Sequence, residues 1–144
     1  MTTDKTQKTN AGDLNAVQWV DLPSSIDARG ILTSVEGGID IPFEIRRVFY
    51  MHHINTDRGD HAHRDTEQVV VAAAGSFKMD LSDGTDTQTY FLDDPMRGVY
   101  TPPMVFIKLH DFSPDAVCMV LASTHYDIAK SIRTWEEYLE AIEG

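Results

Sequence analysis

From Val17 onward the chain never runs far before it is made to turn. Short apolar segments are cut at Ala28-Arg29-Gly30, Glu36-Gly37-Gly38, Asp57-Arg58-Gly59-Asp60, Ala74-Gly75, Ser82-Asp83-Gly84, Asp93-Asp94-Pro95 and Arg97-Gly98. That spacing is close to the roughly 8–12 residues between turns in antiparallel sandwiches and barrels, and it predicts an all-β fold. The clearest strands run from Arg46 to His53, Glu67 to Ala74, Phe77 to Ser82, Thr87 to Leu92, Val105 to His110 and Ala116 to Ser123. The third and fourth make a hairpin, because Asp83-Gly84 supplies the positive-φ residue a tight reversal needs. After residue 133 the pattern changes. Thr134-Trp-Glu-Glu137 spells a capping box, and Trp135, Tyr138, Leu139 and Ile142 recur at helical spacing, which predicts one amphipathic helix packed on the sheet by that stripe. Met1 to Asn15 offer almost nothing to bury and are expected to be a disordered tail, leaving one domain over residues 16–144.

Length and composition narrow the function. One hundred and forty-four residues make one ordinary domain, and 42% apolar against 24% charged residues suit a soluble globular core. No apolar stretch approaches the roughly 20 residues of a bilayer span, so a membrane role is not expected. Twelve Lys plus Arg against 23 Asp plus Glu leave a net charge of −11, which repels a phosphate backbone, so nucleic acid is not expected as a partner. The single cysteine, Cys118, lies in the apolar run Ala116 to Ala122 and reads as a buried thiol. With no signal-like segment and no disulfide framework, a reducing cytoplasm is the expected compartment.

The histidines are the chemistry-bearing feature. Of six, His52, His53, His61 and His63 crowd together, with His110 and His125 later. In Arg58-Gly-Asp-His-Ala-His63 an extended chain points alternate side chains the same way, so His61 and His63 share one wall with Ala62 behind. Such a pair is two legs of a metal site, an acid/base pair facing a substrate, or two solvated surface imidazoles. A metal site would draw on Glu67 for a carboxylate and on His110 from a later strand. There is no Gly-x-Ser-x-Gly elbow, P-loop or dinucleotide fingerprint, and Cys118 has no evident base, so nucleophilic catalysis is not signalled.

A family resemblance rests on a longer set of strings: Ile41-Pro-Phe-Glu-Ile-Arg-Arg-Val-Phe-Tyr50, Arg58 to His63, Glu67-Gln68, Gly75-Ser76, Asp83-Gly84, Gly98-Val-Tyr-Thr-Pro-Pro, His110-Asp-Phe-Ser113 and Val120-Leu-Ala-Ser-Thr-His-Tyr126-Asp. Across residues 17–142 the chain resembles the sugar-nucleotide 3,4-ketoisomerases, which are small cupin proteins. The resemblance implies a cupin jelly-roll β-barrel, a homodimer, and catalysis without metal or other cofactor. Its implied substrate is dTDP-4-keto-6-deoxyglucose, converted to a dTDP-3-keto-6-deoxyhexose on the way to amino sugars of bacterial surface polysaccharides. Asp60, Phe49 and Phe106 stand where such proteins carry other, mostly aromatic, residues. Ile107 lies near the place of the last metal-binding histidine of other cupins, and Glu67-Gln68 keeps the isomerase-like pairing.

Moving a ketone from C4 to C3 removes the C3 proton, passes through an enediol and returns a proton to C4. Imidazole suits both transfers near neutral pH. His63 is therefore assigned as the C3 base, His61 as its partner in proton transfer or orientation, and Tyr50 as the donor to the enolate oxygen. A diphosphate calls for guanidinium, with Arg58 the first choice and Arg47 the second, while Gln68 hydrogen-bonds the sugar. Three rivals share this wall: a metal-dependent cupin oxygenase using His61, His63, Glu67 and His110, an epimerase, and a non-catalytic sugar-nucleotide-binding module.

Overall fold

The computed structural model describes residues 10–143. Its strands are β1 (Gln18–Asp21), β2 (Ser24–Asp27), β3 (Gly30–Thr33), β4 (Arg47–Met51), β5 (Arg58–His63), β6 (Gln68–Ala74), β7 (Phe77–Ser82), β8 (Thr87–Leu92), β9 (Arg97–Thr101), β10 (Phe106–His110), β11 (Val117–Ala122) and β12 (Ser131–Ile132), followed by helix α1 (Trp135–Ile142). They form two five-stranded antiparallel sheets, in the orders β1-β9-β6-β11-β4 and β12-β5-β10-β7-β8, with β2-β3 as a separate hairpin. From β4 onward the chain changes sheet at every step except β7 to β8, which form a hairpin within one sheet. This is a jelly roll, built as a sandwich of two sheets rather than one closed barrel.

Three apolar clusters hold it together. Between the sheets lie Val70, Ala72, Phe77, Met79, Leu81, Val99, Leu109 and Val120, with Cys118 among them; burial pushes that thiol up to about 12. On the outside of the first sheet, Ile41 and Phe43 of the β3–β4 connection cover Val69, Val71 and Leu121. The middle of β6 is therefore buried on both faces, and its sequence reads as a continuous apolar run instead of alternating. On the outside of the second sheet, Tyr138 and Ile142 of α1 cover Ala62 and Phe106.

The hairpin β7–β8 and the helix form where the sequence places them. Gly84 takes φ +94°, and the Asp83 carboxylate accepts from the N–H groups of Thr85 and Asp86 at 2.9 and 2.8 Å. Thr134 Oγ1 accepts from Glu137 N–H at 3.1 Å, while the Glu137 carboxylate reaches back to Arg133 N–H, one residue before the cap, at 3.1 Å. The Tyr138 hydroxyl donates toward the carbonyls of Met104 (2.8 Å) and Ser82 (3.1 Å), tying α1 to the sheet.

Two expectations change. Arg97-Gly98, read as a turn, opens strand β9, where Gly98 lies buried in register with Val71 and a β-carbon there would press on Val69 and the Val70 carbonyl. Glycine marks a close approach of strands here, not a reversal. The expected tail to Asn15 is also too long. Leu14 is buried in the core, Gly12 N–H donates to the Met104 carbonyl at 2.7 Å, and Asn10 bonds the carbonyls of Ala141 and Glu143. Residues 1–9 of that tail lie outside the described residues.

Candidate active site

Strand β5 carries the His-x-His pair, and its alternation puts His61 and His63 between the sheets while Ala62 is fully buried under α1. The strand does not run straight. Asp60 takes φ +54° and Gly59 φ +91°, and opposite them the register with β10 slips, Ile107 pairing His61 but Lys108 pairing Gly59. This bulge sets the angle at which His61 enters the interior. The two rings meet edge to face, centroids 4.7 Å apart at 74°. They line a cavity of about 670 Å³ together with Arg47, Phe49 and Met51 of β4, Asp57, Arg58, Gly59 and Asp60, and Tyr126, Ser131 and Arg133 from the C-terminal stretch.

Its electrostatics keep both imidazoles neutral. Burial lowers the pKa of His61, opposed by the Gly59 backbone, and the charges of Arg133 and Arg47 push it down further against Asp60. Burial, followed by His61 and Arg47, pushes His63 down to about 4, with Asp65 pulling the other way. Uncharged imidazole is the form that accepts a proton. Arg47 is flanked by the rings of Phe49 and Tyr126, its guanidinium carbon 5.1 and 5.4 Å from their centroids. Among the described residues, Arg47, Arg58 and Arg133 form no ion pair, nor do Arg64, Arg97 and Lys108 elsewhere, while Arg29, Arg46, Lys78 and Lys130 each meet a carboxylate. Three guanidiniums without an ion pair outnumber the two carboxylates, Asp57 and Asp60, in the same lining and leave the cavity net positive, an anion-binding surface in an acidic chain.

Several expected site residues lie elsewhere. Tyr50 does not face the cavity: β4 turns Arg47, Phe49 and Met51 inward and leaves Tyr50 on the opposite face, 62% exposed and beside His52. It cannot donate to an enolate in the cavity. Gln68 faces inward but is buried deeper than the cavity lining, 3% exposed. The four residues of the metal reading face three different surfaces. His61 and His63 point inward, Glu67 accepts from the Tyr100 hydroxyl at 2.7 Å on the outside of the first sheet, and His110 bonds Asp80 at 2.9 Å on the outside of the second. No group of three or more His, Cys, Asp or Glu among the described residues could hold a metal ion. Ile107 sits in the core. Arg133 is the guanidinium of this cavity that sequence reasoning missed. It follows the two-residue strand β12, whose Ser131 and Ile132 pair with His63 and Ala62, and so short a strand carries no periodic signal.

Comparison with known proteins bears on the same residues. The family model described as "FdtA: WxcM-like, C-terminal" matches residues 15–143. A curated relative from Aneurinibacillus thermoaerophilus, a TDP-4-oxo-6-deoxy-alpha-D-glucose-3,4-oxoisomerase, is 41% identical over 125 residues, covering 85% of this chain and 90% of its own. Among solved structures, the sugar 3,4-ketoisomerase QdtA from Thermoanaerobacterium thermosaccharolyticum, in complex with TDP, superposes with a TM-score of 0.86 at 35% identity over 90% of this chain and 96% of its own. The TDP-quinovose 3,4-ketoisomerase WlaRB from Campylobacter jejuni superposes with a TM-score of 0.83 at 34% identity over 88% of this chain and 99% of its own. Fold, paired imidazoles and near full-length similarity agree, and the chain belongs to the FdtA, WxcM-like family.

Proposed function

We propose that this protein is a sugar-nucleotide 3,4-ketoisomerase acting on a dTDP-linked 4-keto-6-deoxyhexose. The observation that carries the reading is the pair of neutral imidazoles, 4.7 Å apart on the wall of a cavity bearing three unpaired guanidiniums. The 41% identical relative named for the same conversion supports the substrate class. His63 takes the C3 proton; the C–H electron pair forms the C3–C4 double bond, and the C4 carbonyl pair moves onto O4. His61 and His63 then pass protons so that O3 loses its hydrogen, O4 gains one and C4 is protonated, leaving a ketone at C3. Atoms and electrons balance within the substrate. With Tyr50 turned away, Arg47 is the group beside both imidazoles that meets charge on the enolate oxygen, and Arg58 and Arg133 take the diphosphate.

The test is to incubate the protein with dTDP-4-keto-6-deoxyglucose and follow C3 and C4 by NMR, alongside His61→Asn and His63→Asn. Migration of the carbonyl by the wild type and loss of most turnover in both variants supports the reading. Inversion at a carbon without migration would make it an epimerase, and unchanged signals with tight binding a carrier.

A homodimer in the cytoplasm, with one domain that takes in residues 10–15 as well as those from 16 onward, belongs to the same reading. Strands β2 and β3 pair only with each other and leave Ile26, Ile31 and Leu32 at 68, 55 and 66% exposed, and the edge strand β4 exposes Val48 and Tyr50. A lone two-stranded hairpin is marginal in water, so a second copy covering these apolar faces supports the dimer. Light scattering on a sizing column is expected to give twice the chain mass for the wild type and a shift to monomer for Ile26→Asp/Leu32→Asp. A monomeric wild type would refute the dimer.

A further inference from the structure

Four buried polar atoms among the described residues lack a hydrogen-bond partner: Arg47 Nε, His63 Nε2, Gln68 Nε2 and Thr101 Oγ1. Folded proteins leave few such atoms, and these are not scattered. Thr101 is the register partner of Gln68, Gln68 of Ala122, and Ala122 of Arg47, so one row crosses β9, β6, β11 and β4. Arg47, Gln68 and Thr101 all point between the sheets, and the only side chain separating Gln68 from Arg47 is the methyl of Ala122. His63 arrives at the same end from the other sheet. Its carbonyl accepts from the N–H of Met104, three residues beyond Thr101, at 2.8 Å, and the chain leaving His63 enters β6 at Gln68.

Gln68 and Thr101 are 3% and 1% exposed and line no part of the cavity, so they do not reach substrate. His63 does, yet Nε2, its buried nitrogen, has nothing to fix it. A base that must present one particular nitrogen to a C–H bond needs the other held, since the partner of one ring nitrogen decides which carries the proton. Gln68 brings an amide donor and Thr101 a hydroxyl, which with His63 Nε2 are the partners one bridging water molecule needs.

We propose that Thr101 and Gln68 are positioning residues for His63, holding one water between them and its Nε2. The water accepts from the Gln68 amide and from the His63 Nε2–H and donates to Thr101 Oγ1. The ring is thereby fixed with its proton on Nε2 and its Nδ1 lone pair toward the cavity. The role rests on the reading of His63 as the base, but it has a signature of its own.

That signature is the tautomer. In protein labelled with ¹⁵N-histidine, with His63 assigned by difference against His63→Asn, the wild type is expected to show the Nε2–H form alone. Thr101→Val, which keeps shape and removes the hydroxyl, is expected to mix the two tautomers. It should also lower kcat on dTDP-4-keto-6-deoxyglucose by roughly tenfold to a hundredfold, the range for supports of a working imidazole, with KM within about twofold. Thr101→Ser should restore both, and thermal unfolding of each variant separates these effects from misfolding. An Nδ1–H tautomer in the wild type overturns the proposal. So does a Thr101→Val protein that moves only its melting temperature, leaving spectrum and kcat as they were. A tautomer shift in a protein without isomerase activity would uphold the positioning while removing the function assigned above.

Discussion

His63 and His110 are the same side chain under opposite fields, and their signs of response to pH are opposite. His63 titrates near 6.5 when unfolded and near 4 when folded, because burial, His61 and Arg47 all disfavour its charge. Between those values the unfolded chain binds a proton the native chain refuses, so stability falls as pH falls across the window from 6.5 to 4. His110 is raised, first by its hydrogen bond to Asp80, which outweighs the opposing effect of burial, with Asp111 adding to it. Its contribution is present below 6.5 and is lost as pH rises through the raised folded value. Melting temperatures measured from pH 4 to 8 are expected to fall less steeply on the acid side for His63→Asn than for wild type. For His110→Asn the deficit against wild type should be largest below 6.5 and vanish in base. Parallel curves would refute both assignments. That His61 and His63 share one wall was legible in the sequence because alternation along one strand is a local property. His110 looked available as a ligand because its partner Asp80 is 30 residues away, on a neighbouring strand.

At the scale of elements, the bulge in β5 ties backbone conformation to chemistry. Gly59 needs φ +91°, and a β-carbon there would stand 2.9 Å from the Ile107 carbonyl and 3.2 Å from Leu109 N, both fixed in the sheet. Gly59→Ala is expected to cost about 1–3 kcal/mol in urea unfolding, the range for a strained left-handed residue, and to lower kcat by turning His61. Unchanged unfolding and turnover would mean the bulge is not a requirement. Tyr138→Phe tests the other support of β5. It takes the hydroxyl from the Ser82 carbonyl and from the Met104 carbonyl, which keeps its Gly12 N–H, and should cost about 0.5–1.5 kcal/mol. Hairpin β7–β8 and helix α1 could be read in advance since Asp83-Gly84 and the Thr134 cap are complete within a few residues. Strands β1, β9 and β12 could not. Their identity comes from partners distant in the chain: Gly98 is a strand residue only because β6 lies against it, and β12 exists only because β5 offers an edge.

For the whole molecule, the net charge of −11 and the three arginines of the cavity pull in different directions. An acidic protein repels a nucleotide diphosphate at long range, while a cavity with low-dielectric walls concentrates the attraction of its guanidiniums locally. The same guanidiniums lower the basicity of the imidazoles: Arg133 and Arg47 act on His61, and Arg47 on His63. Burial is the first cause at both rings, and a diphosphate that neutralises the guanidiniums opposes only their smaller share, so ligand binding is expected to raise the two pKa values modestly. Any such rise appears as proton uptake on binding on the acid side. Calorimetric titration with TDP near pH 5.5, in two buffers of different ionisation enthalpy, is expected to show that uptake, and affinity should weaken as salt is raised. Arg133→Gln should bind TDP more weakly and take up fewer protons, because His61 in the free variant already sits closer to its ordinary value. Binding with no proton uptake in wild type would mean the arginines hold the diphosphate without governing the imidazoles.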